Sequence, residues 1–163
     1  MANKQRPINQ SISQKLVKNY ILSGISKISC FYVNARSLIS KTSELELYIN
    51  EEHPYIIGIT ESWAYGGIND SELNIDGYTM FRKDRAIGTK IRGGGVLLYI
   101  RNSLNAVIRE DFIESDFTEC VWCELLCETT KPLVGICYRP PDSLKCNDKA
   151  LFRLINKASK EKT

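Results

Sequence analysis

Apolar residues along this chain fall into short runs, and several of those runs stop abruptly at a polar group. Ile28 to Val33 is a β-prone run that exits into Asn34-Ala35-Arg36-Ser37, the pattern of a strand giving way to a loop. The period then changes. Leu45, Tyr48 and Ile49 line one helical face, Ser43 and Glu46 have the spacing of a capping box, and Glu52-His53-Pro54 ends the segment. Ile56 to Thr60 is a second apolar strand, and Glu61 follows it directly. Strand, helix and strand in this order predict a β-α-β unit with parallel strands, which puts Asn34 and Glu61 on the same edge of a sheet.

Beyond Glu61 the texture is that of turns and short strands. Gly66-Gly67, Asn69-Asp70, Asn74 and Asp76-Gly77 punctuate the chain, and β-prone runs cover 78–82, 95–101, 106–109, 120–126 and 133–138. Consecutive strands joined by turns pair antiparallel. A closing helix is predicted over 149–159, with Ala150, Leu151, Leu154 and Ile155 on its apolar side. One β-α-β unit feeding an antiparallel meander, with helices outside, predicts an α+β fold built on a mixed sheet. Residues 1–27 are polar and basic apart from a weakly amphipathic patch at 16–22, and read as a flexible extension preceding a domain over 28–163.

Composition narrows the classes. At 163 residues and 43% hydrophobic content the chain is long enough for one soluble domain with a real core. It has no apolar run near the ~20 residues that span a bilayer, and its first residues lack the apolar stretch of a signal peptide, so secretion and membrane insertion are disfavoured and an intracellular location is expected. In that setting the six cysteines read as reduced core residues rather than a disulfide framework. Cys120, Cys123 and Cys127 would share a face on a helix and invite a metal reading. Their surroundings are β-prone, however, and on a strand Cys120 faces away from the other two. The only histidine, His53, reads as a surface or capping residue.

The net charge of +3 hides an uneven distribution. Residues 1–27 carry five bases and no acid, residues 28–138 ten bases against sixteen acids, and residues 139–163 seven bases against three acids. Within the acidic core, the stretch from Arg82 to Arg109 holds seven bases and one acid, Asp84. Such a stretch suits a polyanion such as DNA, or else forms a solvated loop of mixed charge.

Candidate chemistry sits where the apolar runs end. Glu61 is the first choice for a ligand of Mg²⁺, which takes one or two carboxylates and fills its remaining positions with water and substrate oxygens; the bland alternative is a cap or surface acid. Asn34 offers an amide to a phosphate oxygen or forms a turn. Tyr138 can donate its hydroxyl to a phosphate and Arg139 can pair with one bidentately, with Pro140-Pro141 stiffening the exit. Gly93-Gly94-Gly95 after Arg92 lacks the Gly-Lys-Ser/Thr ending of a phosphate loop and precedes a strand, so it reads as a tight turn or close backbone contact.

In register, Val33-Asn34-Ala35-Arg36-Ser37-Leu38, Ile59-Thr60-Glu61-Ser62-Trp63, Phe81-Arg82-Lys83-Asp84-Arg85 with Arg92-Gly93-Gly94-Gly95-Val96, and Val134-Gly135-Ile136-Cys137-Tyr138-Arg139-Pro140-Pro141 resemble the endonuclease/exonuclease/phosphatase family. The resemblance is strongest to the endonuclease domain of non-LTR retrotransposons, which accompanies a reverse transcriptase. It implies a four-layer sandwich of two largely antiparallel mixed sheets between helices, cleaving DNA phosphodiesters with Mg²⁺ or Mn²⁺, and a nuclear site of action. Glu61 would ligate the metal, Asn34 and Tyr138 would contact the scissile phosphate as catalytic residues, and Arg139 and Arg92 would contact phosphate or DNA. The family's later Gly-Asp-x-Asn segment, further Asp and terminal Asp-His pair do not occur here, so the chain resembles the N-terminal half of such a domain. Loss of a general base alone costs ~10²- to 10⁴-fold in rate, so weak or no cleavage is expected of this chain by itself. The alternatives are a catalytically dead nucleic-acid-binding module, or a protein-interaction module using an exposed sheet face.

Overall fold

The structure is a computed structural model that describes residues 27–85, 93–113, 117–127 and 130–161, and the backbone of 17–18. Its elements are β1 (Val17–Lys18), β2 (Ile28–Asn34), α1 (Thr42–Glu52), β3 (Ile56–Thr60), β4 (Tyr78–Lys83), β5 (Val96–Arg101), β6 (Ala106–Ile108), β7 (Cys120–Leu125), β8 (Leu133–Cys137) and α2 (Lys145–Ala158). Five strands form one sheet in the order β1-β2-β3-β5-β4 and three form a second in the order β6-β7-β8. The β2–β3 pair is parallel, as the intervening helix requires, and every other pair is antiparallel.

Strand periodicity explains the layering. Ile57 and Ile59 of β3, with Leu97 and Tyr99 of β5, pack against Leu45 and Ile49 of α1. Their sequence neighbours Ile56, Val96, Leu98 and Ile100 turn the other way and meet Val121, Cys123, Leu125 and Ile136 of the second sheet. The far face of that sheet carries Cys120, with Trp122 and Leu133 beside it, against Ala150 and Leu154 of α2. β3 is buried on both faces, which is why it reads as a continuous apolar run with no alternation. The order is therefore helix, sheet, sheet, helix, an α+β sandwich.

Several local expectations change. The Ser43–Glu46 capping box does not form, because the chain enters α1 through a 3₁₀ turn at Ile39–Lys41 and the N-cap falls on Lys41. A capping box closes instead at Asn69 and Glu72, where the Asn69 N–H donates to Glu72 Oε1 at 2.9 Å. α2 starts at Lys145, four residues earlier than its apolar periodicity predicts, since its first turn is polar and gives no such signal. Cys146, in that turn, is exposed rather than part of the core; Cys120 and Cys123 are buried. His53 takes a left-handed conformation and caps α1 through its N–H to the Ile49 carbonyl at 2.9 Å. Most of the expected extension at 1–27 lies outside the described residues, and Val17–Lys18 pair with Ser29 and Ile28. Among the described residues no helix is long and apolar enough to cross a membrane.

Much of the basic stretch is engaged within the chain, though Lys83 is exposed. Arg82 is bound to Asp84 and Asp70, Arg85 to Glu119, and Arg109 to Asp111, Glu124 and Glu161. Arg101 donates to the His53 carbonyl and lies over the Tyr55 ring. Four arginines that looked like a surface for a polyanion are thus engaged by acids, a carbonyl and an aromatic ring of the same chain; Lys90 and Arg92 lie outside the described residues.

The two sheets approach closely at Gly58, where an added Cβ would stand 3.0 Å from Ile136 Cδ1. Gly58→Ala is expected to cost about 1–3 kcal/mol through overpacking. Ile136→Val in the same chain should recover part of that loss, because it removes the opposing methyl. Chemical denaturation of the two single variants and the double checks this; strictly additive losses would show that the methyls do not meet.

Candidate functional site

The parallel register sets Asn34 beside Thr60, at the C-terminal ends of β2 and β3. The two exits then run side by side. The Ala35 N–H donates to the Thr60 carbonyl, Ser37 to Glu61 and Leu38 to Ser62, each at 2.9 Å. Lys41 Nζ donates back to the Ala35 carbonyl, and to that of Arg36 at 3.3 Å. On the other side the glycine run borders the exit of β3: the Ser62 N–H donates to the Gly95 carbonyl at 3.2 Å and the Trp63 N–H to the Gly94 carbonyl at 3.0 Å. Glu61 and Trp63 sit in the left-handed region, with φ of 55° and 58°. That conformation costs each non-glycine residue roughly 1–2 kcal/mol, and such residues persist only where their surroundings over-determine them. Here the paired exits do so.

Glu61 is half-buried and its Oε2 accepts from Trp63 Nε1 at 2.7 Å and from the Gly94 N–H at 3.4 Å. Tyr138, immediately after β8 of the second sheet, donates its hydroxyl to the same carboxylate. Burial by itself would raise the Glu61 pKa. The hydrogen bonds from Tyr138, Trp63 and Gly94, with the positive charge of Arg85, outweigh it and hold the carboxyl below its usual range. Burial first, and then the bond to Glu61, push the Tyr138 phenol up to about 12. At neutral pH the site therefore holds an ionised carboxylate and a neutral phenol, one an acceptor and the other a donor.

Glu119, which carried no sequence signal, and Asn34 complete the arrangement. Glu119, 8% exposed, accepts from Arg85 Nε at 3.1 Å, from Arg85 Nη2 at 2.8 Å and from the Gly95 N–H at 2.7 Å. Its carbonyl accepts from the Tyr138 N–H at 2.9 Å. Asn34 Oδ1 is buried with no hydrogen-bond partner, an orphaned acceptor where unpaired polar atoms are costly. Its signal in the sequence was only its place at a strand end.

Of the residues singled out in the sequence, Glu61 and Tyr138 are in contact, and Asn34 lies one strand away at the same rim. Arg139 is exposed and turned to α2, where Nε and Nη2 pair with the two Asp148 carboxylate oxygens at 2.7 and 3.0 Å. Arg92 lies outside the described residues. His53 stands before the N-terminus of β3, and five residues of strand, roughly 16 Å, separate it from the end that carries Glu61. The donors that suit a hard divalent cation are the Glu61 carboxylate and the orphaned Asn34 oxygen, which fit Mg²⁺ or Mn²⁺ as part of a coordination set. Among the described residues no group of three His, Cys, Asp or Glu side chains gathers to complete one.

Two consequences can be measured. Tyr138→Phe removes a bond that favours the carboxylate, so Glu61 should titrate at higher pH than in the parent chain, read from the Trp63 indole N–H resonance; an unchanged midpoint would mean that the phenol does not hold Glu61. Because the folded value is depressed, the stability Glu61 contributes is complete above the ordinary carboxylate range and is lost as pH falls through the folded value. At Gly94, with φ of 73°, an added Cβ would lie 2.1 Å from Glu119 Oε1 and 2.3 Å from Arg85 Nε. Gly94→Ala is therefore expected to break the Arg85–Glu119 pair and to destabilise by about 3–5 kcal/mol, the cost of opening a buried ion pair, in contrast to a loss below about 1 kcal/mol for a surface glycine such as Gly66.

No protein-family model and no curated protein matches the chain. Solved structures do. The AP endonuclease LMAP from Leishmania major superposes with a TM-score of 0.64 at 15% identity, over 78% of this chain and 47% of that one. A humanized D. rerio TDP2 carrying 14 mutations gives a TM-score of 0.51 at 12% identity, over 82% of this chain and 60% of that one. The chain spans about half the length of the first and three fifths of the second. Its fold is that of the endonuclease/exonuclease/phosphatase proteins.

Proposed function

We propose that residues 28–163 form the N-terminal half of an endonuclease/exonuclease/phosphatase-type domain of the retroelement kind, acting on DNA phosphodiesters with Mg²⁺ or Mn²⁺, with little or no turnover from this chain alone. The observation that carries this reading is the contact between Glu61 and Tyr138 across the two sheets, beside the unpartnered Asn34 oxygen. The AP endonuclease fold supports a phosphodiesterase class, and the four segments that resemble the retrotransposon endonuclease support the finer type.

In this proposal Glu61 and Asn34 hold the cation, with water and substrate oxygens filling its other positions. A bound divalent ion would neutralise charge on the phosphate and acidify a coordinated water. Tyr138, neutral up to about pH 12, remains a hydroxyl donor and would turn to a phosphate oxygen when one enters. Among the described residues the second carboxylate of the cluster, Glu119, is engaged by Arg85 and the Gly95 N–H, and the histidine stands at the far end of β3, so neither is placed to take a proton from water.

A second reading has one observation behind it. An apolar groove of about 350 Å³ opens between the sheets at the free edge of β8, lined by Ile28, Cys30, Tyr32, Leu98, Leu125 and Ile136 among others. Exposed apolar concavities of this sort favour association. Sedimentation at rising concentration, with and without DNA, separates it from the first reading.

For the phosphodiesterase reading, Mn²⁺ should broaden the Trp63 indole resonance, and Glu61→Gln should abolish that broadening without altering the fold. Nicking of supercoiled plasmid by the purified chain should be slow, Mg²⁺-dependent and absent in Glu61→Ala. Metal-insensitive Trp63, or nicking that survives both chelator and Glu61→Ala, would remove the assignment.

A further inference from the structure

Arg85 stands inside the site, yet only part of its guanidinium is used by Glu119. Nε and Nη2 form the two-point pair, and among the described residues no partner engages Nη1. That nitrogen faces Gly93. A Cβ built on Gly93 would lie 3.3 Å from Arg85 Nη1, 3.7 Å from Glu61 Oε2 and 3.9 Å from Trp63 Nε1. Among the described residues the missing side chain thus leaves a space bordered by a guanidinium, a carboxylate and an indole N–H, and Arg85 Cζ is 5.9 Å from the centre of the Tyr138 ring, so the phenol borders the same space.

We propose that Arg85 is the anion-binding arm of this site, taking a non-bridging oxygen of a phosphodiester through Nη1 while Glu119 holds the rest of the guanidinium. The proposal deepens the phosphodiesterase reading and rests on it for the identity of the anion. A planar guanidinium fixed at two nitrogens has little orientation left to lose when a third engages, so the cost of ordering it is met in folding rather than in binding. Charge sets a condition. Among the described residues Arg85 offsets one of the two carboxylates, Glu61 and Glu119, which leaves one net negative charge, so an anion should enter best together with a divalent cation at Glu61.

The test uses inorganic phosphate as the probe, in Mg²⁺ and without it, followed through the Trp63 indole and Tyr138 ring resonances of the full chain. Removing Arg85 alone would strand the buried Glu119 carboxylate and could unfold the protein, so the parent chain is compared with Arg85→Lys, which keeps a cation opposite Glu119 but loses the planar fork, and with Glu119→Gln/Arg85→Gln, which removes both charges together. Phosphate should perturb both reporters in the parent chain and bind at least tenfold more weakly in the double variant, with Arg85→Lys between the two. Equal phosphate affinity in the parent chain and the double variant, or no saturable response in the parent chain, overturns the role of Arg85. The two readings fail separately: lost Mn²⁺ broadening with an intact Arg85 dependence removes the metal-dependent phosphodiesterase, whereas intact broadening with phosphate affinity indifferent to Arg85 removes only this inference.

Discussion

A buried carboxylate ties the two sheets together at the functional rim. Glu119 lies at the entry to β7 in the second sheet, while its side-chain partners, Arg85 and Gly95, flank the β4–β5 edge of the first. Its carbonyl also fixes Tyr138. An ionised carboxylate at this depth is tolerated only when its lone pairs are filled, and three N–H donors fill them. The sheets are pressed together elsewhere by non-directional apolar contact between β3, β5, β7 and β8, which sets their spacing and leaves sliding less constrained. The directional bonds at Glu119 specify how the sheets register at the rim that carries Glu61 and Tyr138. Whether a buried pair of this kind adds net stability is secondary, since its removal one partner at a time is what costs about 3–5 kcal/mol.

From that latch the geometry of Glu61 follows. Gly95 is held by Glu119, and Gly94 and Gly95 in turn accept the N–H groups of Trp63 and Ser62. With Ser37 and Leu38 bonded on the other side, the chain leaving β3 has no route except the left-handed turn at Glu61, and the carboxylate is aimed across the gap to Tyr138. The strain of two left-handed non-glycine residues is sustained by these bonds, and it keeps the side chain from relaxing into a surface position. The titration behaviour is a consequence of the same aim: an acid that would be weakened by burial is kept ionised because three donors point at it.

Much of this was legible in the sequence. The strands at 28–34, 56–60, 78–83, 96–101, 106–108, 120–125 and 133–137 were marked by β-prone runs between turn residues, and the parallel pair that joins Asn34 to Glu61 followed from one helix of the right length. What escaped had physical reasons. A cap is a hydrogen-bond geometry, so Ser43 and Glu46 had the right spacing for a box that the preceding 3₁₀ turn made unnecessary. Arg82 and Arg109 each have one acid two residues on, Asp84 and Asp111, but Asp70, Glu119, Glu124 and Glu161 stand 12 to 52 residues from their arginines, and no local count reveals a partner at that separation. Glu119 carried no signal for the same reason: a single acid ahead of an apolar run becomes a latch only when another sheet brings it an arginine.

The distribution of these charges bears on what the molecule can do. With Arg82, Arg101 and Arg109 engaged within the chain, attraction of a nucleic acid by a diffuse basic surface has less to draw on, and the proposed reading places more weight on a few fixed donors at the rim. The rim supplies these: a neutral phenol, an indole N–H and the edge of a guanidinium around one ionised carboxylate. In the proposed reading such a set would orient a phosphate and anchor one side of a cation, while among the described residues the single histidine lies at the opposite end of β3. On the proposed reading the groups gathered at the described rim are those that would orient a phosphate, held there by the same bonds that register the two sheets.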